Sequence, residues 1–291
     1  MLTQLFPSKQ KRRQIAGMLI VLGVVDLALW LSVFSPATDP AIYFLDIGQG
    51  DSSLVVLEGG VKILIDGGPD AAVVERLAEV LPPHDRYLDL VVMTHTDLDH
   101  MGGLIDVLQT YKVGTFIGTG RKDDSDEYRE LINALIEQQV PYAQLAEGDE
   151  INIGDTRLAV LSPNTQEVLS SEPNDAGLVF RLTSPNYSAL FTADISTVVE
   201  GRLAKEYNLQ SDILKVGHHG SKFSSSAEFL SGVSPRLAGI GVGKNRYGHP
   251  APDALERIAK ITRHIFRTDE QGTIKIVRND NQLKVFAENK N

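Results

Sequence analysis

The sequence of 291 residues contains no cysteine. Thiolate catalysis, disulfides and cysteine-based zinc ribbons are therefore excluded, and any metal site must be built from His, Asp, Glu or Asn. Cationic side chains are in the minority, with 28 Lys and Arg against 38 Asp and Glu. The net charge of −10 argues against a general nucleic-acid coat, because phosphates are repelled at long range. A G-x-S-x-G nucleophile elbow is missing, as are short-period repeats and any low-complexity linker beyond residue 40. Only one apolar run approaches membrane length, which argues against a multi-span channel or transporter. The remainder, 42% apolar and 23% charged with 25 Gly and 13 Pro, is ordinary globular composition. It allows one large α/β domain or two small ones.

The charge is unevenly distributed. Residues 1–40 carry Lys9, Lys11, Arg12 and Arg13 against Asp26 and Asp39, a balance of +2. Residues 201–291 hold 15 basic and 9 acidic side chains, +6, which leaves 9 basic and 27 acidic for 41–200, −18. The cluster Asp123, Asp124, Asp126 and Glu127 reads as a solvated loop and helix start. With a mildly basic last third, the objection to a phosphate-bearing substrate weakens.

The one long apolar run is residues 15–34, IAGMLIVLGVVDLALWLSVF, interrupted only by Asp26. About 20 apolar residues span a bilayer, and one mid-span Asp costs roughly 3 kcal/mol, which the flanking Leu, Val and Ile offset. The expectation is a basic cytoplasmic tail (1–14), a transmembrane anchor (15–34), a linker (35–40) and a domain over 41–291. By the positive-inside rule that domain lies outside the cytoplasmic membrane. A cleavable signal peptide ending near Ser35-Pro36-Ala37, releasing a secreted domain, and a buried soluble helix are the alternatives.

From Ala41 onward strand and helix patterns alternate. Strands are expected at 41–46, 53–57, 61–66, 88–93 and 113–117, with helices near 70–81, 102–111 and 126–138. Further strands fall near 140–146, 149–153, 156–161, 177–183, 187–192, 212–217 and 236–242, and short ones at 264–267, 273–278 and 283–287. Later helices fit near 196–206 and 251–262. Strands that follow one another directly exclude a purely parallel doubly wound sheet and point to two mixed sheets with outer helices.

Chemistry concentrates in VVMTHTDLDHMGG, residues 91–103. A buried strand ends there, and His95, Asp97, Asp99 and His100 follow within six residues. Packing does not explain four potential ligands on so short a loop. Asp194 follows the apolar run 187–193, His218 and His219 follow 212–217, and His249 follows the strand near 236–242. All would collect at one sheet edge, where α/β folds place their sites, and together suit one or two divalent ions. Ser221, Lys222, Lys244 and Asn245, on the glycine-bearing loops of this edge, are candidates for holding phosphate.

At this point the sequence resembles the metallo-β-lactamase-fold hydrolases, and within them the extracytoplasmic hydrolase domain of the ComEC competence proteins. The matching stretches are FLDIGQGDSSLV (44–55), ILIDGG (63–68), THTDLDHMGGL (94–104), SEPNDAGLVFRL (171–182), LFTADI (190–195), DILKVGHHGSKFSSS (212–226), GVGKNRYGHP (241–250) and IFRTDEQGTI (265–274). The resemblance implies an αββα four-layer sandwich. It also implies a metal site of Asp99, His100, Asp194 and His218, and a second begun by His95 and Asp97 with Asp194 bridging. Asp66 resembles the carboxylate that steadies the ligand loop. The sequence departs from the family pattern at Asp97, where a His is usual, and has no His from 101 to 217; Asn174 or Asp175 is the nearest substitute. Such oxygen ligands favour Mn²⁺ or Mg²⁺ more than a His-rich site does, with Zn²⁺ the other candidate.

Function is expected to follow the ions. Asp99, with His219 and His249, is a candidate for proton handling, and the reaction implied by the resemblance is phosphodiester hydrolysis of DNA, single-stranded above all. A hydrolase of a small anionic substrate, such as a phosphorylated metabolite or a lactam, is the alternative, and a metal-binding module without turnover is the third. A role in DNA uptake would need a separate channel protein.

Overall fold

The computed structural model describes residues 9–33, 39–279 and 282–288. Two compact units are present, 1–37 and 38–291. In the first, Lys9–Val33 form one helix at the position of the expected anchor. This helix takes in Lys9, Lys11, Arg12 and Arg13 and carries Asp26. Among the described residues no helix is long and apolar enough to cross a membrane. Parts of the expected tail, anchor end and linker (1–8 and 34–38) lie outside the described residues.

The second unit holds two sheets. The first contains β1 (Ala41–Phe44), β2 (Ser53–Val56), β3 (Lys62–Ile65), β4 (Tyr87–Val92), β5 (Lys112–Gly118) and β6 (Tyr142–Gln144). The second runs through β7 (Glu150–Ile153), β8 (Thr156–Ser162), β9 (Val179–Thr183), β10 (Ser188–Phe191), β11 (Ile213–Lys215), β12 (Leu237–Ile240) and β13 (Ile265–Arg267). The chain then returns to the first sheet with β14 (Ile274–Asn279) and β15 (Gln282–Ala287), giving the orders β15-β14-β1-β2-β3-β4-β5-β6 and β13-β12-β11-β10-β9-β8-β7. Both sheets are mixed. In the first, β3 to β6 are parallel neighbours; in the second, β10 to β13 are.

Three apolar clusters define four layers. Successive side chains on a strand face opposite sides, and β1 shows the consequence. Ala41 and Tyr43 pack outward with Leu77, Leu104 and Leu131 of the covering helices. Ile42 and Phe44 pack inward with Phe180 and Phe191 of the second sheet. The outer face of that sheet is covered through Leu203, Phe229 and Ile258 from the helices Thr197–Glu206, Ala227–Val233 and Pro252–Ala259. A strand buried on both faces is apolar at nearly every position, which is why β1, β2 and β12 read as continuous apolar or small runs, and β3 does so after Lys62. The αββα sandwich is thus present, with the expected elements in the expected order.

The parallel segments fix where loops can gather. Asp66 follows β3, the 93–100 loop follows β4, Asp194 follows β10, His218 and His219 follow β11, and the 241–250 loop follows β12. Each lies beyond the C-terminal end of a parallel strand. That is the edge at which α/β sheets bind ligands.

Candidate metal centre

Asp66 organises the first-sheet side. Its Oδ1 accepts from the Thr94 backbone N–H (2.7 Å), and its Oδ2 accepts from Thr94 Oγ1 (2.7 Å) and lies 2.8 Å from His100 Nδ1. The carboxylate is an acceptor, so His100 carries its proton on Nδ1 and presents the Nε2 lone pair to the site. Thr94 Oγ1, having donated to Asp66, is the acceptor for His95 Nδ1 at 3.0 Å, which leaves His95 Nε2 in the same state. On the second-sheet side His219 Nδ1 donates to the Gly241 carbonyl (2.8 Å), and its Nε2 also turns inward. All three rings are buried, and all three Nε2 atoms lack a hydrogen-bond partner.

An unpartnered buried acceptor is destabilising by about 1–3 kcal/mol. Three beside carboxylates have the chemistry of a cation site. His95, His100 and Asp194 bring one donor atom each within 4.8 Å of one another, and so do Asp99, His100 and His219. His100 belongs to both sets, and its Nε2 is 3.4 Å from Asp194 Oδ2. His219 Nε2 lies 3.2 Å from Asp99 Oδ2 and 3.5 Å from Asp194 Oδ2. The donors are imidazole nitrogen and carboxylate oxygen, a mixture suited to one or two divalent transition ions.

The electrostatics match. Burial opposes charge on His100, yet Asp194 and Asp66 outweigh it and hold its pKa well above the ordinary value. His219 is likewise lifted to about 10, burial being overcome by Asp194 and Asp51. Asp194 is driven well below the carboxylate range by His100 and His219 in spite of its burial. The acids around these rings hold a negative potential that is met either by a second proton on His100 and His219 or by a cation in its place, which leaves their Nε2 lone pairs free to bind it.

Backbone strain concentrates here too. Among non-glycine residues, Asp66, Ala193, His218 and His219 have φ of 58°, 45°, 50° and 51°. Left-handed φ at residues with a Cβ costs of order 1–3 kcal/mol and clusters at functional sites. Asp194 Oδ1 accepts the His218 N–H (2.9 Å), which fixes the turn that points His219 inward.

The expected ligands divide accordingly. His95, Asp99, His100 and Asp194 come together, and His219 joins them. His218 does not enter either set; its ring packs edge-on against His249 at 5.4 Å. His249 lines the cleft, with its pKa lowered by burial and by His218 and His219. Asp97 borders the cleft, its Oδ2 3.7 Å from His95 Nε2. Asn174 and Asp175 sit on the turn Pro173–Ala176 and do not line the cleft; Asp175 Oδ1 accepts the Ser196 N–H.

None of the four phosphate candidates lines the cleft. Ser221 is buried and caps Phe223 N–H. Lys222 lies over the Phe223 ring. Lys244 is exposed outside the lining, and Asn245 binds its own loop through Gly243, Tyr247 and His249.

Sequence reasoning missed Asp51. Asp51 is buried and paired with the equally buried Lys215, and its Oδ1 lies 3.4 Å from His219 Nδ1. Despite burial, Lys215 and His219 lower its pKa to about 2. Its backbone N–H donates to the Asp99 carbonyl (3.0 Å), so one residue ties the ligand loop to the second sheet. The signal was present: a carboxylate between the apolar strands β1 and β2, matched by a lone Lys inside the apolar β11.

The cleft has a volume of about 610 Å³, and Leu98 and Tyr247 line it beside the acids and histidines.

The chain is similar to known proteins to different degrees. The chain is 28% identical to ComE operon protein 3 of Bacillus subtilis (strain 168), over 95% of this chain and 38% of that protein. It is 30% identical to competence protein ComA of Neisseria gonorrhoeae, over 82% of this chain and 32% of that one. The chain therefore spans about a third of the length of these relatives. YhfI of Bacillus subtilis, a metallo-beta-lactamase fold protein, superposes with a TM-score of 0.52 at 13% identity, covering 79% of this chain and 96% of that one. That likeness concerns the fold alone. Residues 45–236, well over half of the chain, match the family model directly. The chain belongs to the metallo-β-lactamase superfamily.

Proposed function

We propose that the chain is a metal-dependent phosphodiesterase acting on DNA, single-stranded above all. The observation that carries the reading is the convergence of three buried, unpartnered Nε2 atoms on Asp99 and Asp194 at an open cleft. His95, His100 and Asp194 would hold one ion, and Asp99 and His219 are the donors left for another, because the single Nε2 lone pair of His100 serves only one ion. Bound there, a divalent ion supplies Lewis acidity, lowering the pKa of a water and polarising a phosphoryl oxygen.

The chain's own residues do the rest. Asp66 and Thr94 keep His95 and His100 in the tautomer that faces the site. Asp99, about one-third exposed and with its pKa lowered by His219 and His100 against burial, is ionised and placed to accept a proton at its carboxylate. The half-buried His249, its pKa lowered by burial and by His218 and His219, lines the same cleft as a second proton acceptor. The similarity to proteins named for competence supports DNA as the substrate and the outer face of the cytoplasmic membrane as the place, with 15–34 as the anchor and a separate channel protein as partner in uptake.

The test is metal content by mass spectrometry and cleavage of end-labelled DNA, with the full chain reloaded with Mn²⁺, Mg²⁺ or Zn²⁺. We expect one or two ions per chain and cleavage of single strands, with Asp194→Ala losing metal and activity together. Full metal content without cleavage of any DNA would overturn the phosphodiesterase reading.

A further inference from the structure

The cleft over the metal centre is acidic in its own right. Asp70, Asp97, Asp99 and Asp194 line it, and no Lys or Arg does so among the described residues. Side-chain cations therefore cannot hold a polyanion along this surface, as a groove tracking a nucleic-acid backbone would. Bound ions would offset the acids only at the floor. Affinity for the rest of a nucleotide must come from uncharged contacts.

The lining supplies two such contacts of an unexpected kind. Large apolar side chains exposed at an acidic cleft have no role in the core, yet Leu98 is 50% and Tyr247 75% exposed, and both line it. Leu98 sits between Asp97 and Asp99, inside the ligand loop itself. Tyr247 stands in the loop beyond β12, its ring 5.7 Å from that of His249 and inclined by 31°.

Tyr247 is exposed but not loosely held. Asn245 Oδ1 accepts the backbone N–H groups of Tyr247 (3.1 Å) and His249 (3.0 Å), and its Nδ2 donates to the carbonyls of Gly243 (2.9 Å) and His249 (2.7 Å). Four hydrogen bonds of one side chain close the loop and fix the backbone that carries the ring. A loop ordered in advance loses less entropy on binding.

Next to it, Gln49 Oε1 accepts the Gly243 N–H, which directs Nε2 away from that loop. Gln49 Nε2 is buried, has no hydrogen-bond partner, and belongs to a cleft-lining side chain. An amide N–H donor suits a base carbonyl or a phosphate oxygen.

We propose that Tyr247 and Leu98 form a slot for one unpaired nucleobase, with Gln49 as the polar contact beside it, in a DNA strand whose phosphodiester lies on the histidine and aspartate floor. This deepens the phosphodiesterase reading and rests on it. A base paired and stacked in a duplex cannot enter the slot, so selectivity for single strands arises from the base.

Stopped-flow anisotropy tests the slot with the full chain loaded with Mn²⁺. The probes are a fluorescein-labelled oligothymidylate and an abasic oligomer of equal length and charge, with cleavage scored on gels from the same samples. The wild type is expected to bind the thymidylate roughly fivefold or more tightly than the abasic strand. Tyr247→Ala brings that ratio towards one, and Tyr247→Trp restores it. Circular dichroism and metal content confirm that each variant is folded and loaded. Equal affinity of the wild type for both strands, or an unchanged ratio in Tyr247→Ala, overturns the slot. Cleavage with equal affinities leaves the phosphodiesterase reading standing without the slot, whereas base-selective binding without cleavage leaves the slot and removes the phosphodiesterase.

Discussion

Asp66 touches no substrate in this arrangement, yet two ligand rings depend on it. Its Oδ2 accepts from Thr94 Oγ1 and from His100 Nδ1, and Thr94 passes the same polarity to His95. In Asp66→Asn the amide must turn its N–H₂ either to Thr94 Oγ1 and His100 Nδ1 or to the Thr94 backbone N–H. The first removes the acceptor that keeps both rings' protons on Nδ1, and the second sets donor against donor at the base of the ligand loop. Groups that orient ligands typically change metal affinity 10–100-fold when altered. Titration calorimetry of Asp66→Asn with Mn²⁺ is expected to show weakening of that order, with the far-ultraviolet spectrum retained. Affinity equal to wild type would mean that the sheet edge alone orients the rings. The Asp51–Lys215 pair serves the other side, because truncating one partner would leave a buried charge unpaired beside His219.

At the scale of elements, the ligand loop is held by backbone fitted to backbone. A Cβ on Gly103 would lie 2.2 Å from the Gly67 carbonyl oxygen and 2.3 Å from that of Asp70. Neither can yield without moving the end of β3 or the loop leading to the helix Ala72–Val80. Gly103→Ala is therefore expected to destabilise by roughly 1–3 kcal/mol, measured by denaturant unfolding. It should also lower metal occupancy, because Gly67 N–H donates to the His100 carbonyl. Unchanged stability would show that these loops adapt. The sequence displayed much at this scale: period and length placed nearly every strand, and the crowding of His95, Asp97, Asp99 and His100 after β4 marked the loop. The helix beginning at Leu98, within the ligands, was less visible, because the Gly pair at 102–103 looks like the start. The choice between His218 and His219 was invisible. Both adopt left-handed backbone, and the ring that turns inward is selected by the Gly241 carbonyl on a distant loop. Lys222 and Lys244, which the sequence offered for holding phosphate, do not line the cleft.

At the scale of the molecule, the division at residue 37 matters. Residues 38–291 have their own three-cluster core, so the first unit is not needed to complete it. If 15–34 anchors the chain, the full-length protein will sediment with membranes and residues 38–291 will stay in the supernatant while keeping their metal. Full-length protein in the supernatant would remove the anchor. The order of strands has another consequence. Ile42 of β1 pairs with Ile276 of β14, so β1 is flanked on one side by a strand made only after every proposed ligand. A growing chain carries β1 with that edge bare until β14 has been made, and an exposed edge invites pairing with other chains. The β14–β15 hairpin is thus the clasp of the domain: a chain that stopped short of these two strands would keep every proposed ligand, yet it would emerge with a sticky edge and be lost to aggregation.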